Sequence, residues 1–228
     1  MNAKKINGNG SSNGSTLDLY VKPFEEESFA TPMRDDAHEM SADEKINVIE
    51  HHFRQIMDTL GMDMTDDSLS NTPRRVAKMY VNEIFSGLNP DNKPAITLFD
   101  NKYQYRQMLV ERDIPVQSTC EHHFQPIIGK VHIAYISSGE VIGLSKLNRV
   151  VEYFARRPQV QERLTIQIAQ ELKKVLKTPD VAVYMVAKHM CVEARGVKHH
   201  GCQTVTSSYH GKFLNEHTKS EFLQAIKD

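Results

Sequence analysis

The stretch Ser118-Thr119-Cys120-Glu121-His122-His123-Phe124 places a thiol and two imidazoles within four consecutive positions. Cys120 and His123 stand at the C-x2-H spacing at which two side chains of one turn reach a common ion, and sulfur with nitrogen is the donor set zinc prefers. Two donors do not hold a metal, so a third has to come from elsewhere. Cys191, in Lys188-His189-Met190-Cys191, follows the apolar run Val181 to Val186. Read as a strand through Cys191, this segment turns His189 and Cys191 to one face and Lys188 and Met190 to the other. A fold that serves both clusters must bring two distant pieces of chain to one point. Cys120, His123 and Cys191 would then leave a fourth coordination position for water, the layout of a catalytic zinc, with His122 and His189 beside it. A structural zinc would instead close with a fourth protein donor, most simply one of those two histidines.

Composition narrows the setting. Three cysteines in 228 residues form no disulfide framework without a remainder, and the N-terminus lacks the apolar core of a signal peptide, so a reducing cytoplasm is expected. Lys+Arg 28 against Asp+Glu 29 gives a net charge of -1. No global field therefore favours nucleic acid or an anionic membrane, and an anionic substrate would need a local basic cluster. No apolar stretch is long enough to span a bilayer. The length suits one well-buried domain.

Met1 to Thr16, rich in Gly, Asn and Ser, cannot bury enough apolar surface to order itself, and the expected organisation is a loose or disordered tail over 1–40. Ser41-Ala42-Asp43-Glu44 is a capping box, and Ile46, Ile49, Phe53, Ile56 and Leu60 follow at helical spacing up to Gly61. A second helix starts at Thr72-Pro73 and runs to Gly87, which makes 41–90 a helical segment. From Ala95 the texture turns to strand: Ile96 to Phe99, Met108 to Val116, Ile127 to Ile136 and Val141 to Leu144, with Ser138-Gly139 as a hairpin turn. Ser145-Lys146-Leu147-Asn148-Arg149 opens a helix and outlines an anion site, beside the plainer reading of Ser145 as an N-cap with solvated cations. Pro158 starts a long helix with Val160, Leu164, Ile168, Leu172 and Val175 as its stripe. Ser220 to Lys227 closes the chain as a short helix. His199-His200-Gly201-Cys202 reads as an exposed loop, since nothing nearby supplies further ligands.

Four stretches in this order resemble GTP cyclohydrolase I: Ser118 to Phe124, Gly143 to Arg149, Arg157 to Leu164 and His189 to Gly196. The likeness runs from about Ser41 to the C-terminus. It implies an α+β fold of the tunnelling (T-fold) kind over 91–228, a four-stranded antiparallel sheet with helices on one face, preceded by the helical segment. It also implies a homo-oligomeric ring, a decamer, with sites at subunit interfaces. The implied reaction takes GTP and water to 7,8-dihydroneopterin triphosphate and formate with Zn2+ on Cys120, His123 and Cys191. In that scheme His122 and His189 move protons at the purine and Ser145 assists at the ribose. Glu162, with Gln161, recognises the guanine, since a carboxylate matches its paired N1–H and 2-amino donors. Lys146, Arg149 and Arg195 hold the triphosphate, and Arg75 and Lys78 are further phosphate contacts toward a neighbouring subunit's site.

Two other readings stand beside it. One is a non-catalytic module whose zinc pins a loop to a strand. The other is a pterin or deazapurine enzyme of the same fold, against which the intact Cys120/His123/Cys191 set with Ser145-Lys146 argues.

Overall fold

The computed structural model describes residues 29–227; the expectation for Met1 to Thr16 lies outside them. In chain order the elements are α1 (Ala42–Thr59), α2 (Thr72–Met79), β1 (Leu98–Asp100), β2 (Met108–Cys120), β3 (Pro126–Ile136), β4 (Glu140–Ile142), α3 (Leu144–Ala155), β5 (Pro158–Gln159), α4 (Gln161–Leu176), β6 (Val181–His189), α5 (Met190–Glu193), β7 (Thr204–Tyr209) and α6 (Glu216–Ala225). The described end of the N-terminal stretch docks on the body. The Phe29 carbonyl accepts from Gln167 Nε2 at 2.6 Å, and the Thr31 hydroxyl accepts from Arg157 Nη1 at 3.2 Å.

Ser41 caps α1 in both directions: its hydroxyl accepts from Glu44 N–H, and the Glu44 carboxylate accepts from Ser41 N–H at 2.8 Å. Burial along α1 is weaker than its periodicity implies. Ile46 and Met57 are buried, whereas Ile56 and Leu60 are 52% and 69% exposed. The helix expected to run from Thr72 to Gly87 changes pitch. After α2 the chain widens into a π turn over Tyr80–Ile84 and then tightens to a 3-10 turn over Ser86–Leu88. Gly87 lies so close to α3 that a Cβ there would sit 2.0 Å from the Tyr153 carbonyl oxygen.

The main sheet runs β5-β2-β3-β6-β7, and β1 with β4 forms a separate pair. Neighbours among β2, β3, β6 and β7 are antiparallel, while β5 joins β2 in parallel through Thr119↔Pro158 and Cys120↔Gln159. Alternate residues of the sheet face one core. Val131, Ile133 and Tyr135 of β3 and Val183 and Met185 of β6 pack there against Leu147 and Val151 of α3 and Leu164, Ile168 and Leu172 of α4. The expectation of helices on one face needs correction. On the other side the small Ala134 and Ala182 leave room for Phe213 and Phe222, so α6 covers part of that face. β2 carries a bulge. Glu111 pairs with Ile133 and Ile114 with Val131, three steps on β2 against two on β3, and Asp113 takes φ 61.

Several boundaries differ from the sequence reading for stated reasons. β2 continues past Val116 to Cys120 because β3 pairs with it to Pro126. Pro158 is a strand residue, held by that parallel pairing, and α4 begins at Gln161 after Val160 as cap. Gly143, not Ser145, caps α3. The Ser138-Gly139 turn makes no hairpin, because β4 leaves β3 to pair with β1. Among the described residues no helix is long and apolar enough to cross a membrane.

Candidate metal centre and active site

Cys120 ends β2, and the turn after it is closed by two backbone bonds: Cys120 N–H to the Gln125 carbonyl at 2.8 Å and Phe124 N–H to the Cys120 carbonyl at 2.9 Å. Phe124 takes φ 51 and lays its ring against Tyr80 and Phe85. His122 and His123 are thereby left exposed on the outside of the turn while Cys120 stays buried at 5%. Cys191 arrives by a different route from the one its sequence suggests. β6 stops at His189, and the single helical turn of α5, not strand alternation, carries Cys191 inward. The ligand atoms of Cys120, His123 and Cys191 all lie within 4.8 Å of one another. Two sulfurs and an imidazole so placed fit a borderline-soft divalent cation. Burial, and then the contact with Cys120, pushes the Cys191 thiol up. Two crowded thiols resist joint ionisation, and a cation between them would relieve that. Among the described residues His199, His200 and Cys202 form no such group.

Beside the trio stand His189 and Gln161. His189 Nε2 lies 2.8 Å from Gln161 Oε1, and Gln161 itself is buried at the start of α4. Burial holds the His189 imidazole below its ordinary range, with the Glu162 carboxylate pulling the other way. Glu162 is exposed on the same first turn, near enough for its charge to act on His189. Arg195 is also close, its charge acting on the Cys191 thiol in the sense opposite to burial. His122 Nδ1 is 3.7 Å from Cys120 Sγ.

A second arrangement, which motif reading missed, fixes the turn itself. Arg163 of α4 forms an ion pair with Glu121, donates from Nε to Gln159 Oε1 at 2.9 Å and donates to the Pro158 carbonyl at 3.0 Å. Glu121 N–H reaches the Gln159 carbonyl at 3.1 Å, and the other carboxylate oxygen of Glu121 lies 3.9 Å from His122 Nε2. Gln159 in turn donates to Gln167 at 2.8 Å. The residue between Cys120 and His122 is thus tied to α4, and Arg163 is only 13% exposed.

Other expected site residues lie elsewhere in this chain. Ser145, Lys146 and Arg149 sit on the first turns of α3, just after β4, and Lys146 Nζ donates to the Ala95 carbonyl at 2.7 Å. The far end of α3 leads into β5 beside Cys120. At 1.5 Å per residue, Lys146 and Arg149 lie roughly 14 and 9 Å along the helix axis from that end. Arg75 and Lys78 are exposed on α2, and Arg75 donates to the Ser68 carbonyl at 2.8 Å and to Thr72.

The family model for GTP cyclohydrolase I matches residues 49–227. A GTP cyclohydrolase 1 of Flavobacterium johnsoniae is 59% identical over 196 residues, 86% of this chain and 88% of the relative. The Aeromonas salmonicida protein of the same name is 52% identical over 205 residues, 90% of this chain and 93% of the relative. One from Vibrio parahaemolyticus is 49% identical over 210 residues, covering 92% and 96%. A crystal structure of the archaeosine synthase QueF-Like in the apo form aligns with 50% of this chain and 94% of its own at a TM-score of 0.35 and 16% identity. With matches of this length and identity, the chain belongs to the GTP cyclohydrolase I family.

Proposed function

We propose that this protein is a zinc-dependent hydrolase that converts GTP and water to 7,8-dihydroneopterin triphosphate and formate, the entry step to reduced pterins. The observation that carries the reading is the meeting of Cys120, His123 and Cys191 within 4.8 Å, in a chain of this family, with two further imidazoles at its edge. Zinc held by Cys120, His123 and Cys191 would supply Lewis acidity and lower the pKa of a water in its open position.

The protein's own groups supply the rest. Glu162 accepts the N1–H and 2-amino donors of guanine and so sets C8 toward the trio. His122 and His189 hold and release protons at the purine nitrogens. Arg195 meets the triphosphate on the same side. Ser145, Lys146 and Arg149, in the half of α3 remote from β5, serve the site of an adjoining copy, Ser145 at the ribose and the two cations at the phosphates. Arg75 and Lys78 play the same part in our reading. This requires a closed ring, a decamer, whose sites lie between subunits. The tunnelling fold suits such a ring, because β7 ends the sheet among the described residues and would be covered by a strand of the next copy.

Incubation with GTP should release formate and yield a fluorescent pterin after oxidation. Both signals should vanish with a chelator and return with zinc. Zinc-loaded protein that releases no formate would refute the assignment. A metal edge spectrum showing four protein donors would point to the pinned-loop reading.

A further inference from the structure

The hydrogen bonds around Gln161 form a closed logical chain. Its Nε2 lies 3.0 Å from the Thr204 carbonyl oxygen and 3.1 Å from Thr206 Oγ1, and its Oε1 lies 2.8 Å from His189 Nε2. A carbonyl oxygen only accepts, so the Gln161 atom facing Thr204 is the amide nitrogen. The hydroxyls agree. Thr165 Oγ1 donates to the Gln161 carbonyl at 2.8 Å, and its 2.6 Å contact with Thr206 Oγ1 then requires Thr206 to donate. With its hydrogen directed at Thr165, Thr206 can only accept from Gln161. Both amide N–H bonds are therefore engaged, and Oε1 is left to face the imidazole. Oxygen faces nitrogen across 2.8 Å, and the hydrogen between them belongs to the ring.

We propose that Gln161 is a positioning residue that accepts a hydrogen from His189 Nε2, fixing the tautomer of the ring and leaving Nδ1 as the nitrogen offered to substrate. This rests on the proposed reaction and deepens it. It assigns the Gln161 side chain to the histidine and not to the guanine. It also withdraws Nε2 of His189 as a donor to the metal. The two threonines extend the device to β7: the side-chain amide donates to the Thr204 carbonyl and to Thr206 Oγ1, which Thr165 of α4 holds in turn, so it cannot rotate to present its nitrogen to the ring. A hydrogen bond to one ring nitrogen commonly selects the tautomer of a working histidine in this way.

Neutron diffraction from deuterated, zinc-loaded, full-length protein tests the assignment directly. It should show deuterium on His189 Nε2 directed at Gln161 and on Thr206 Oγ1 directed at Thr165; a bare Nε2 would overturn the proposal. Kinetics give a second arm. Gln161→Leu, which removes the acceptor, should lower kcat for GTP roughly 10–100-fold with a much smaller change in KM. Thr206→Val should give a lesser fall of the same kind. A rise in KM at unchanged kcat would make Gln161 a substrate contact and sink the idea. The diffraction arm reads the tautomer whether or not GTP is the substrate, so its failure is distinct from failure of the formate assay.

Discussion

Replacing Arg163 by Met tests how the ligand turn is held. The substitution keeps a linear side chain over the core but removes the donors to Gln159, Pro158 and Glu121 and leaves the Glu121 carboxylate without its cation. Exposed ion pairs contribute about 0–1 kcal/mol, and breaking a fully buried pair costs about 3–5 kcal/mol. With the two side chains 13% and 28% exposed, Arg163 and Glu121 lie nearer the buried limit. A loss of about 2–4 kcal/mol is expected after allowance for that residual solvent. Because Glu121 sits between Cys120 and His122, the loss should also loosen the donors, with zinc affinity falling roughly 10–100-fold as for other outer-shell supports. Competition against a chromogenic chelator measures the affinity, and urea unfolding of the same samples measures stability. Glu121→Gln in the Arg163→Met background should recover part of the stability, since the orphaned charge is gone. If Arg163→Met unfolds at lower urea yet binds zinc as tightly as the parent, the clamp holds the fold and not the metal turn, and the reasoning fails.

Other outcomes can be stated more briefly. Cys191→Ser should lose both bound zinc and formate release while keeping the parent's circular dichroism, because the trio sits at the rim of the sheet and not in its main core. Lys146→Ala and Cys191→Ser, each inactive alone, should regain activity when refolded together, with about a quarter of the sites intact if each is shared by two copies at random; no recovery would mean that each chain works alone. Burial, and then the Lys173 charge, hold the His210 imidazole below its ordinary value of 6.5. The unfolded chain then takes up the proton first on acidification, so stability is lost as pH falls through about 6.5, and His210→Gln should remove part of that loss in urea midpoints followed from about pH 7.5 to 5. Gly129→Ala would put a Cβ 2.1 Å from the Val186 carbonyl oxygen and 2.6 Å from the Ala187 Cβ, forcing β3 and β6 apart. A loss above roughly 3 kcal/mol is expected, read as insolubility or a sharply lowered denaturant midpoint.

Much of this architecture is written locally in the chain. The Ser41–Glu44 capping box, the alternation in β3 and the stripe of α4 depend on residues a few positions apart, and those elements form as the spacing predicts. The pairing of Cys120 and His123 with Cys191 was legible for a chemical reason: few other thiols exist in the chain to complete a soft site. Where partners are remote, local pattern fails. Pro158 has the form of a helix start, but its pairing with Thr119 makes it a strand. Cys191 follows a strand-like run, yet α5 intervenes. Arg163 and Glu121 are separated by 42 residues, and neither shows in the sequence as more than a surface charge. Gln161 stands next to Glu162 in one motif, but only the fold shows it turned inward to Thr204, Thr206 and His189.

The irregularity at Asp113 decides which way the donors look. Ahead of it, Met108 and Val110 lie on the α6 side of the sheet, whereas beyond it Ile114 and Val116 lie on the side of α3 and α4. Even-numbered positions have changed sides across one surplus residue. Cys120 shares that parity and reaches Ile127, Ala187 and Cys191 because of it. Excising a single amino acid there would restore an unbroken ladder and at the same stroke point the Cys120 sulfur away from Cys191, so the enzyme's chemistry hangs on a miscount in one strand.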